Sequence, residues 1–342
     1  MGRIAGSMRT HNAITVRRRT MVGRFKYVTR VAVASGVFLL APWKPALVKD
    51  TIMKDIRPTH AAFAQALSAL PDGDSGSFHL VTYNVAGLPD LISRSCPSVN
   101  LLRMGPLLSR YDLVLVQEDF AYPRQLRAGI SLPFQSILGR GSGWAGIGDG
   151  LNRFSRLPFS EEHRESWRNC HGYLTDRNDC LVDKGFSVAS HHLGAGAVLD
   201  VYNVHMDSGR GPGNLDTRLN QVGQLLDSLA NRSRGRAVII AGDTNLRSRD
   251  VAGDRATFEH LLQSGGLRDT CEVTDCPDVR HGIDKVLYRG SPSLQLVPRQ
   301  SRTDQSFVDD NGEPLSDHVP IVVDFTWRAV TTAHDSIARQ SL

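Results

Sequence analysis

The chain has 342 residues, of which 41% are hydrophobic, so it can bury an ordinary core in one large domain or two. Its net charge of +5 is unevenly distributed: residues 1–60 hold 12 of the 40 Lys and Arg and 2 of the 35 Asp and Glu, which leaves 28 basic and 33 acidic residues elsewhere. This mildly acidic remainder excludes the broad basic surface of a tight duplex-DNA binder, but not a local basic groove.

The first part of the chain has the pattern of an export signal. Basic residues up to Arg30 precede an uncharged run at 31–43, which is shorter than the roughly 20 apolar residues of a membrane span and fits the apolar part of a secretory signal. We therefore predict a basic leader and linker at 1–70 and an exported protein, secreted or periplasmic. An uncleaved, membrane-anchored form, which would contact the membrane through this leader, and a disordered basic arm are the alternatives.

After the leader, strand and helix patterns alternate loosely. A glycine-containing turn at 194–196 joins two strand patterns into a hairpin, and apolar residues from Leu219 to Leu229 recur at helical spacing. This mixture favours an α+β architecture, with mixed or antiparallel sheets covered by helices, over a purely parallel sheet. We predict one catalytic domain at 71–330 and a polar tail at 331–342. The predicted strands lie at 79–84, 113–116, 184–190, 198–205, 237–243, 282–287 and 319–325.

The five cysteines agree with an oxidising destination. Cys170 and Cys180 flank one polar loop, and Cys271 and Cys276 flank another, so two local disulfides are predicted and Cys96 is left over. Zinc binding is the alternative, but no Cys-x-x-Cys pair or histidine cluster at ligand spacing accompanies these residues.

Polar residues follow or frame the apolar strands at six places. At 237–246 a β-branched run ends at Gly242 and then presents Asp243 and Asn245, whose side chains point to the same side of an extended chain. Taken alone, Gly-Asp-x-Asn is also common turn chemistry. Five further clusters of similar composition together predict a single metal-assisted hydrolytic centre. These clusters contain Asn84, Glu118, His205, Asp284, and Asp317 with His318.

With all six clusters in view, the chain resembles the endonuclease/exonuclease/phosphatase superfamily of metal-dependent phosphoesterases, which includes the DNase I-like nucleases. The resemblance covers about residues 78–325. It implies a four-layer α/β sandwich in which two packed, mixed or antiparallel β-sheets are flanked by helices, with the active site at one end. The motifs that carry it are Tyr-Asn at 83–84, Gln-Glu at 117–118, Asn-x-His at 203–205, Gly-Asp-x-Asn at 242–245, Ile-Asp at 283–284 and Ser-Asp-His at 316–318.

The resemblance also implies the metal ligands. Glu118 would bind Mg²⁺, a hard cation that takes few carboxylates and keeps several waters. Asn84 would help to set the geometry of the metal or the phosphate, and Asp317 would approach the metal or orient its neighbour. Mn²⁺ and Ca²⁺ are the alternative ions.

The remaining site residues would act on the phosphate and on water. Asp243 would orient or deprotonate the attacking water, while Asn245 holds a phosphate oxygen. His318, held by Asp284, would be either the general base or the group that stabilises developing charge. His205 would donate to a non-bridging oxygen or assist the leaving group.

Other polar residues are expected to take no direct part in the reaction. Asp119 is predicted to be structural and Asp149 to lie in a turn, whereas His191 and His192 are predicted to face solvent. Lys184 is predicted either to steady the sheet or to lie near an anion.

The segment around Lys184 indicates which members of the superfamily the chain resembles. Asp183-Lys184-Gly185-Phe186 looks like exported bacterial sphingomyelinase-type members, which implies a phosphodiesterase acting on a phospholipid head group or another small phosphodiester. Between Leu287 and Asp317, however, Phe307 is the one aromatic residue after Tyr288, whereas membrane-acting relatives carry an aromatic-rich hairpin there. A secreted DNase I-like endonuclease acting on nucleic acid and a catalytically inactive binding module are the alternatives, and no protein partner is predicted.

Overall fold

The computed structural model describes residues 60–93, 95–139, 148–173, 179–194, 196–248, 251–276 and 282–330. The chain divides into two units, Met1–Ile52 and Met53–Leu342, and every described residue lies in the second. Most of the expected leader and all of the expected tail lie outside the described residues, so the domain limits stay predictions. No helix within the described ranges is long and apolar enough to cross a membrane.

Two sheets of six strands each form the middle of the described part. The first has the order β11-β12-β1-β2-β4-β3, and the second has the order β5-β6-β7-β8-β10-β9. The strands are β1 (Ser75–Asn84), β2 (Leu113–Gln117), β3 (Phe134–Gln135), β4 (Asn152–Ser155), β5 (Phe159–Ser166), β6 (Gly185–Gly194), β7 (Ala197–His205), β8 (Ala237–Asp243), β9 (Arg268–Asp269), β10 (Asp284–Arg289), β11 (Leu294–Thr303) and β12 (Ile321–Ala329). Both sheets are mixed, because β1 pairs with β2 and β7 with β8 in parallel, whereas the remaining pairs are antiparallel.

Helices cover the outer faces of the two sheets. They are α1 (His60–Ser68), α2 (Pro97–Leu108), α3 (Pro123–Ala128), α4 (Pro212–Arg232), α5 (Ala252–Gly265) and α6 (Thr270–Thr274). Leu101 and Met104 of α2 pack on the first sheet, and Val222 and Leu225 of α4 pack on the second. A third apolar cluster fills the space between the sheets. The four-layer sandwich expected from the resemblance is therefore confirmed, and the predicted hairpin is the β6–β7 pair.

A buried arginine connects the two sheets. Arg153 of β4 donates to the carbonyl oxygen of Val201 at 3.1 Å, to Oγ of Ser187 at 2.9 Å and to Nε2 of His191 at 3.3 Å. The expectation that His191 faces solvent is wrong, since its side chain is fully buried. Both faces of β6 are covered, one by the opposite sheet and one by the helical layer, so even its polar positions are removed from water.

Both predicted disulfides are present. Cys170 pairs with Cys180 and Cys271 with Cys276, while Cys96 is free and exposed. The first bond closes the loop between β5 and β6, and the second lies at α6.

Candidate active site

The strand directions bring the polar clusters to one end of the sandwich. The parallel pairs β1–β2 and β7–β8 end there, so Asn84 lies opposite Gln117 in one sheet and His205 lies opposite Asp243 in the other. The antiparallel strand β10 begins at the same end, where Asp284 pairs with Asp243. The polar residues that follow apolar runs in the sequence thus face one another across the end of the molecule.

A carboxylate-rich cluster joins the two sheets. Ligand atoms of Glu118, His205 and Asp243 lie within 4.8 Å of one another. Nδ2 of Asn84 donates to Oε1 of Glu118 at 2.9 Å and to Oδ2 of Asp243 at 3.2 Å. Asn84 therefore holds one carboxylate from each sheet in place.

A second cluster shares Asp243 with the first. Nδ1 of His318 donates to Oδ2 of Asp284 at 2.7 Å, and Nε2 of the same ring lies 3.8 Å from Oδ2 of Asp243. Nε2 of His205 lies 3.7 Å from that same oxygen. Asp243 is therefore flanked by two imidazoles, of which one is fixed by a carboxylate.

The backbone at the strand ends is unusual. Glu118 and Asn245 have φ values of 57° and 51°, a left-handed conformation that costs free energy in residues other than glycine. Gly242 has φ of 140°, and a Cβ atom there would lie 2.1 Å from the carbonyl oxygen of Val204. These turns end the strands abruptly and fix where the next polar side chains begin.

Burial and neighbouring charge shift the proton affinities of the site. Burial raises the pKa of Asp243 to about 7, and the neighbouring Asp284 carboxylate adds to this rise. Burial alone would lower the pKa of His318, but Asp284, its hydrogen bond and Asp243 outweigh burial and raise that pKa to about 10. The pKa of His205 is far below its ordinary value because the ring is buried and lies near Lys184 and His318. His318 is therefore protonated at neutral pH and His205 is neutral.

Two predicted site residues, Asn245 and Asp317, lie at the edge of the site. Asn245 is buried, and its Nδ2 donates to the carbonyl oxygen of Met206 at 3.1 Å while its backbone N–H donates to Asp243 at 3.0 Å. Asp317 is exposed and belongs to neither carboxylate–histidine cluster among the described residues.

A buried carboxamide pair lies one layer below the site and was not assigned a role from the sequence. Nε2 of Gln117 donates to Oδ1 of Asn203 at 2.7 Å and to Oγ1 of Thr82 at 3.0 Å. Nδ2 of Asn203 donates back to the carbonyl oxygen of Val116 at 2.9 Å. This contact sets the separation of the two sheets directly beneath Glu118 and His205. The Gln-Glu and Asn-x-His motifs were the only signal for it.

The loop between β5 and β6 contributes a cation next to the site. Nζ of Lys184 forms an ion pair with buried Asp179, whose other oxygen accepts from the backbone and the hydroxyl of Ser208 at 2.9 and 2.7 Å. The charge of Lys184 lowers the pKa of His205. Lys184 was expected either to steady the sheet or to lie near an anion. It lies near an anion, the carboxylate of Asp179, and close to the site.

The donor set fits a hard divalent cation. Glu118 and Asp243 supply carboxylate oxygens from the two sheets, which are the ligands that hard ions prefer, and a neutral histidine lies beside them. Two carboxylates so close together, of which Asp243 is buried and Glu118 partly buried, also favour positive charge nearby, since they repel each other where water is partly excluded.

Comparison with known proteins decides the family. A scan against models of protein families gives no match. The sphingomyelinase of Mycobacterium tuberculosis is 33% identical over 286 residues, covering 77% of this chain and 55% of that protein. A solved structure of an endonuclease/exonuclease/phosphatase from Bacteroides vulgatus superposes with a TM-score of 0.53 at 16% identity, covering 73% of this chain and 98% of that one. The chain belongs to the endonuclease/exonuclease/phosphatase superfamily.

Within this superfamily, a variant of the Staphylococcus aureus beta toxin was solved with bound magnesium ions. It superposes with a TM-score of 0.57 at 16% identity, covering 72% of this chain and 99% of that one. This likeness concerns the fold. The chain spans only 55% of the length of the mycobacterial sphingomyelinase, so that protein's activity does not transfer by similarity alone.

Proposed function

We propose that the chain is an exported, Mg²⁺-dependent phosphodiesterase that hydrolyses a small phosphodiester of the sphingomyelinase C type. The observation that carries this proposal is the convergence of Glu118, Asp243 and the His318–Asp284 pair at one end of the sandwich. The mycobacterial relative named a sphingomyelinase supports the substrate class. Export is supported by the two disulfides, which persist in oxidising compartments.

The metal would be held by Glu118, whose carboxylate Asn84 fixes in place through the 2.9 Å hydrogen bond from its Nδ2. When bound, a divalent ion would supply positive charge that stabilises the negative charge on the phosphate oxygens in the transition state. Magnesium is favoured over softer ions because the donors are mainly oxygens, and the magnesium-bound beta toxin supports the same choice. Asp317, which is exposed, would act from the rim and not as a direct ligand.

Asp243 is the group best suited to take a proton from the attacking water. Its pKa of about 7 is close to a neutral working pH, where a general base is most effective. His318 carries a proton at that pH, so it acts as the cation that stabilises charge on the phosphate and not as the base. Asp284 fixes the orientation and charge of His318 through the 2.7 Å hydrogen bond.

His205 and Asn245 would bind the phosphate from the second sheet. Nε2 of neutral His205 lies 3.6 Å from Oε1 of Glu118. Its N–H can therefore donate to a phosphate oxygen that is bound next to that carboxylate. One N–H of the Asn245 carboxamide is taken by Met206, which leaves the other to hold a phosphate oxygen.

Hydrolysis of bis-p-nitrophenyl phosphate by the full chain tests the mechanism. We expect release of p-nitrophenolate only with added Mg²⁺, and a loss of at least about 100-fold in kcat for Glu118→Ala. Glu259→Ala, which removes an exposed carboxylate from α5, is the matched control. Activity that survives both EDTA and Glu118→Ala would refute the mechanism, and metal-dependent stabilisation without turnover of any phosphoester would indicate an inactive binding module.

The substrate is tested by a direct comparison at equal enzyme concentration. Release of phosphocholine from sphingomyelin and nicking of plasmid DNA are measured with the same preparation. The proposal expects the lipid to be hydrolysed faster. Rapid nicking with no release of phosphocholine would instead identify a DNase I-like endonuclease.

A further inference from the structure

The most exposed large apolar side chains cluster at the catalytic end. Among the described residues, three large hydrophobic side chains are more than 60% exposed: Leu91 at 96%, Ile92 at 69% and Tyr173 at 68%. Leu91 and Ile92 lie in the loop that follows Asn84, and Tyr173 lies in the loop before β6. Apolar groups this exposed normally mark a binding surface when several occur on one side of a protein.

Contacts fix both loops to the site. The backbone N–H of Asp90 donates to Oη of Tyr122 at 3.0 Å, and Gly87 donates to the carbonyl oxygen of Glu118 at 2.9 Å. On the other side, the backbone N–H of His171 donates to Asp207, two residues after His205, at 2.8 Å. The Cys170–Cys180 bond closes that second loop. The two apolar projections are therefore held beside the two halves of the site.

Two arginines at the same end have no carboxylate partner within the described ranges. Arg210 is exposed and lies in the loop between His205 and α4, while Nη1 of Arg247 donates to the carbonyl oxygens of Asn245 and Gly209, at 3.2 and 3.4 Å. The nearby Arg218 differs, because it forms a buried ion pair with Asp254. Burial and the neighbouring Arg210 and Arg218 lower the pKa of Arg247, and Asp254 and Asp243 only partly oppose this shift.

Acidic groups near these side chains have partners of their own. Asp254 and Asp243 act on the charge of Arg247, but Asp254 already forms the ion pair with Arg218. The carboxylate of Asp90, next to Leu91, is engaged by Ser98 through a backbone bond of 3.1 Å and a hydroxyl bond of 2.6 Å. Asp317 is exposed, but its charge acts on His318 within the site. Apolar tips and cations without a carboxylate partner among the described residues lie at the same end of the molecule, and this combination suits a surface with anionic head groups over acyl chains.

We propose that Leu91, Ile92 and Tyr173 insert into an anionic lipid surface while Arg210 and Arg247 bind its head groups. This docking would present the catalytic end to a diester within the membrane, and so it rests on the proposed function. Phe307 and Tyr288 take no part in this surface, because both are buried in the core. A nucleic acid would use the arginines but would leave Leu91 and Ile92 in water.

Sedimentation with vesicles tests the docking without turnover. The full chain is mixed with vesicles of phosphatidylcholine, with or without an equal part of phosphatidylglycerol, in the presence of EDTA. We expect tight binding only to the anionic vesicles. Arg210→Gln with Arg247→Gln should weaken this binding about 30-fold, and Leu91→Ser with Ile92→Ser should weaken it at least about tenfold.

Matched controls remove the same groups elsewhere. Arg234→Gln with Arg299→Gln removes two exposed cations from other parts of the surface, and Leu219→Ser with Leu102→Ser removes two half-exposed leucines from helices. Binding that all variants retain, or that the controls lose equally, would overturn the proposal. Binding of duplex DNA that depends on the two arginines but not on Leu91 and Ile92, without vesicle binding, would overturn it too.

Failure of docking and failure of catalysis are separable. Hydrolysis of soluble bis-p-nitrophenyl phosphate reports on the site alone, whereas the ratio of vesicle to soluble activity reports on docking. An active enzyme that does not bind anionic vesicles would refute only the docking proposal.

Discussion

The charge on His318 depends on the carboxylate that holds it. The pKa of His318 is raised to about 10, and burial, which works in the opposite direction, is outweighed by Asp284 first of all. A histidine with a raised pKa is protonated below that value and loses its proton only as the pH rises through it. His318 thus keeps its positive charge over the whole neutral range.

Asp284→Asn is expected to move the alkaline limit of activity. Without the carboxylate, the pKa of His318 should fall toward its ordinary value near 6.5, so kcat should decline as the pH rises from about 6 to about 9. The unmodified enzyme should keep His318 charged in this range. The measurement is kcat for bis-p-nitrophenyl phosphate against pH.

Asp324→Asn provides a matched control for this profile. Asp324 also lies 2.7 Å from a histidine, His79, but on the surface of the first sheet. This control should keep the alkaline limit of the unmodified enzyme. If Asp284→Asn keeps that limit as well, the charge of His318 is not required for the reaction.

Gly242 is required by the close approach of β8 to β7. Any Cβ atom would overlap the carbonyl oxygen of Val204 at 2.1 Å, and φ of 140° disfavours every other residue. We expect Gly242→Ala to lower the free energy of unfolding by about 3 kcal/mol or more, measured by urea denaturation.

Gly223 is the matched control for that substitution. It lies inside α4, where a Cβ atom would meet nothing within 4 Å, so Gly223→Ala should stabilise the protein by about 0.5–1 kcal/mol. Equal effects of the two alanines would contradict the packing described for the end of β8.

At the scale of the strands, β4 and β6 are joined by the contact of Arg153 with His191. Arg153 donates to Nε2 of His191. The pKa of this ring lies well below its ordinary value, because burial and the positive guanidinium of Arg153 both disfavour the protonated imidazole. The unfolded chain binds a proton on this histidine below about pH 6.5, whereas the folded chain does not. The folded state therefore loses stability as the pH falls through this range.

His191→Gln should reduce this sensitivity to acid. Glutamine keeps an acceptor for Arg153 but cannot be protonated, so the slope of unfolding free energy against pH between about 6.5 and 5 should fall by up to about 1.4 kcal/mol per pH unit. Ser187→Ala, which removes another contact of Arg153, should lower stability equally at each pH and keep the slope. A slope that is unchanged in His191→Gln would contradict the buried, neutral state of the ring.

At the scale of the whole molecule, seven of the twelve described strands and the polar clusters at strand ends could be predicted, because both are local patterns. The β-branched run before Gly242 predicts β8, and the residues at strand ends predict a shared site once their directions are known. The two disulfides could also be predicted, because each joins cysteines that are close in the sequence, and both bonds are present.

Other features depend on contacts between distant parts of the chain, so the sequence alone could not predict them. Nothing in the polar run around His191 indicates that both faces of β6 are covered, and nothing near Arg153 indicates an arginine between the sheets. The exposure of Asp317 and the pairing of Lys184 with Asp179 depend on how loops close over the strand ends. Such contacts set the proton affinities, and with them the roles of the two site histidines.

The central claim is that side chains from both sheets form one catalytic unit. The test uses Glu118 of the first sheet and Asp243 of the second. It measures kcat/KM for bis-p-nitrophenyl phosphate in Glu118→Gln, Asp243→Asn and the double variant, each with saturating Mg²⁺. Residues that act as one unit lose activity together, so each single change should cost about 10³-fold and the double change little more. Losses that multiply to about 10⁶-fold, or a single variant with full activity, would contradict the account.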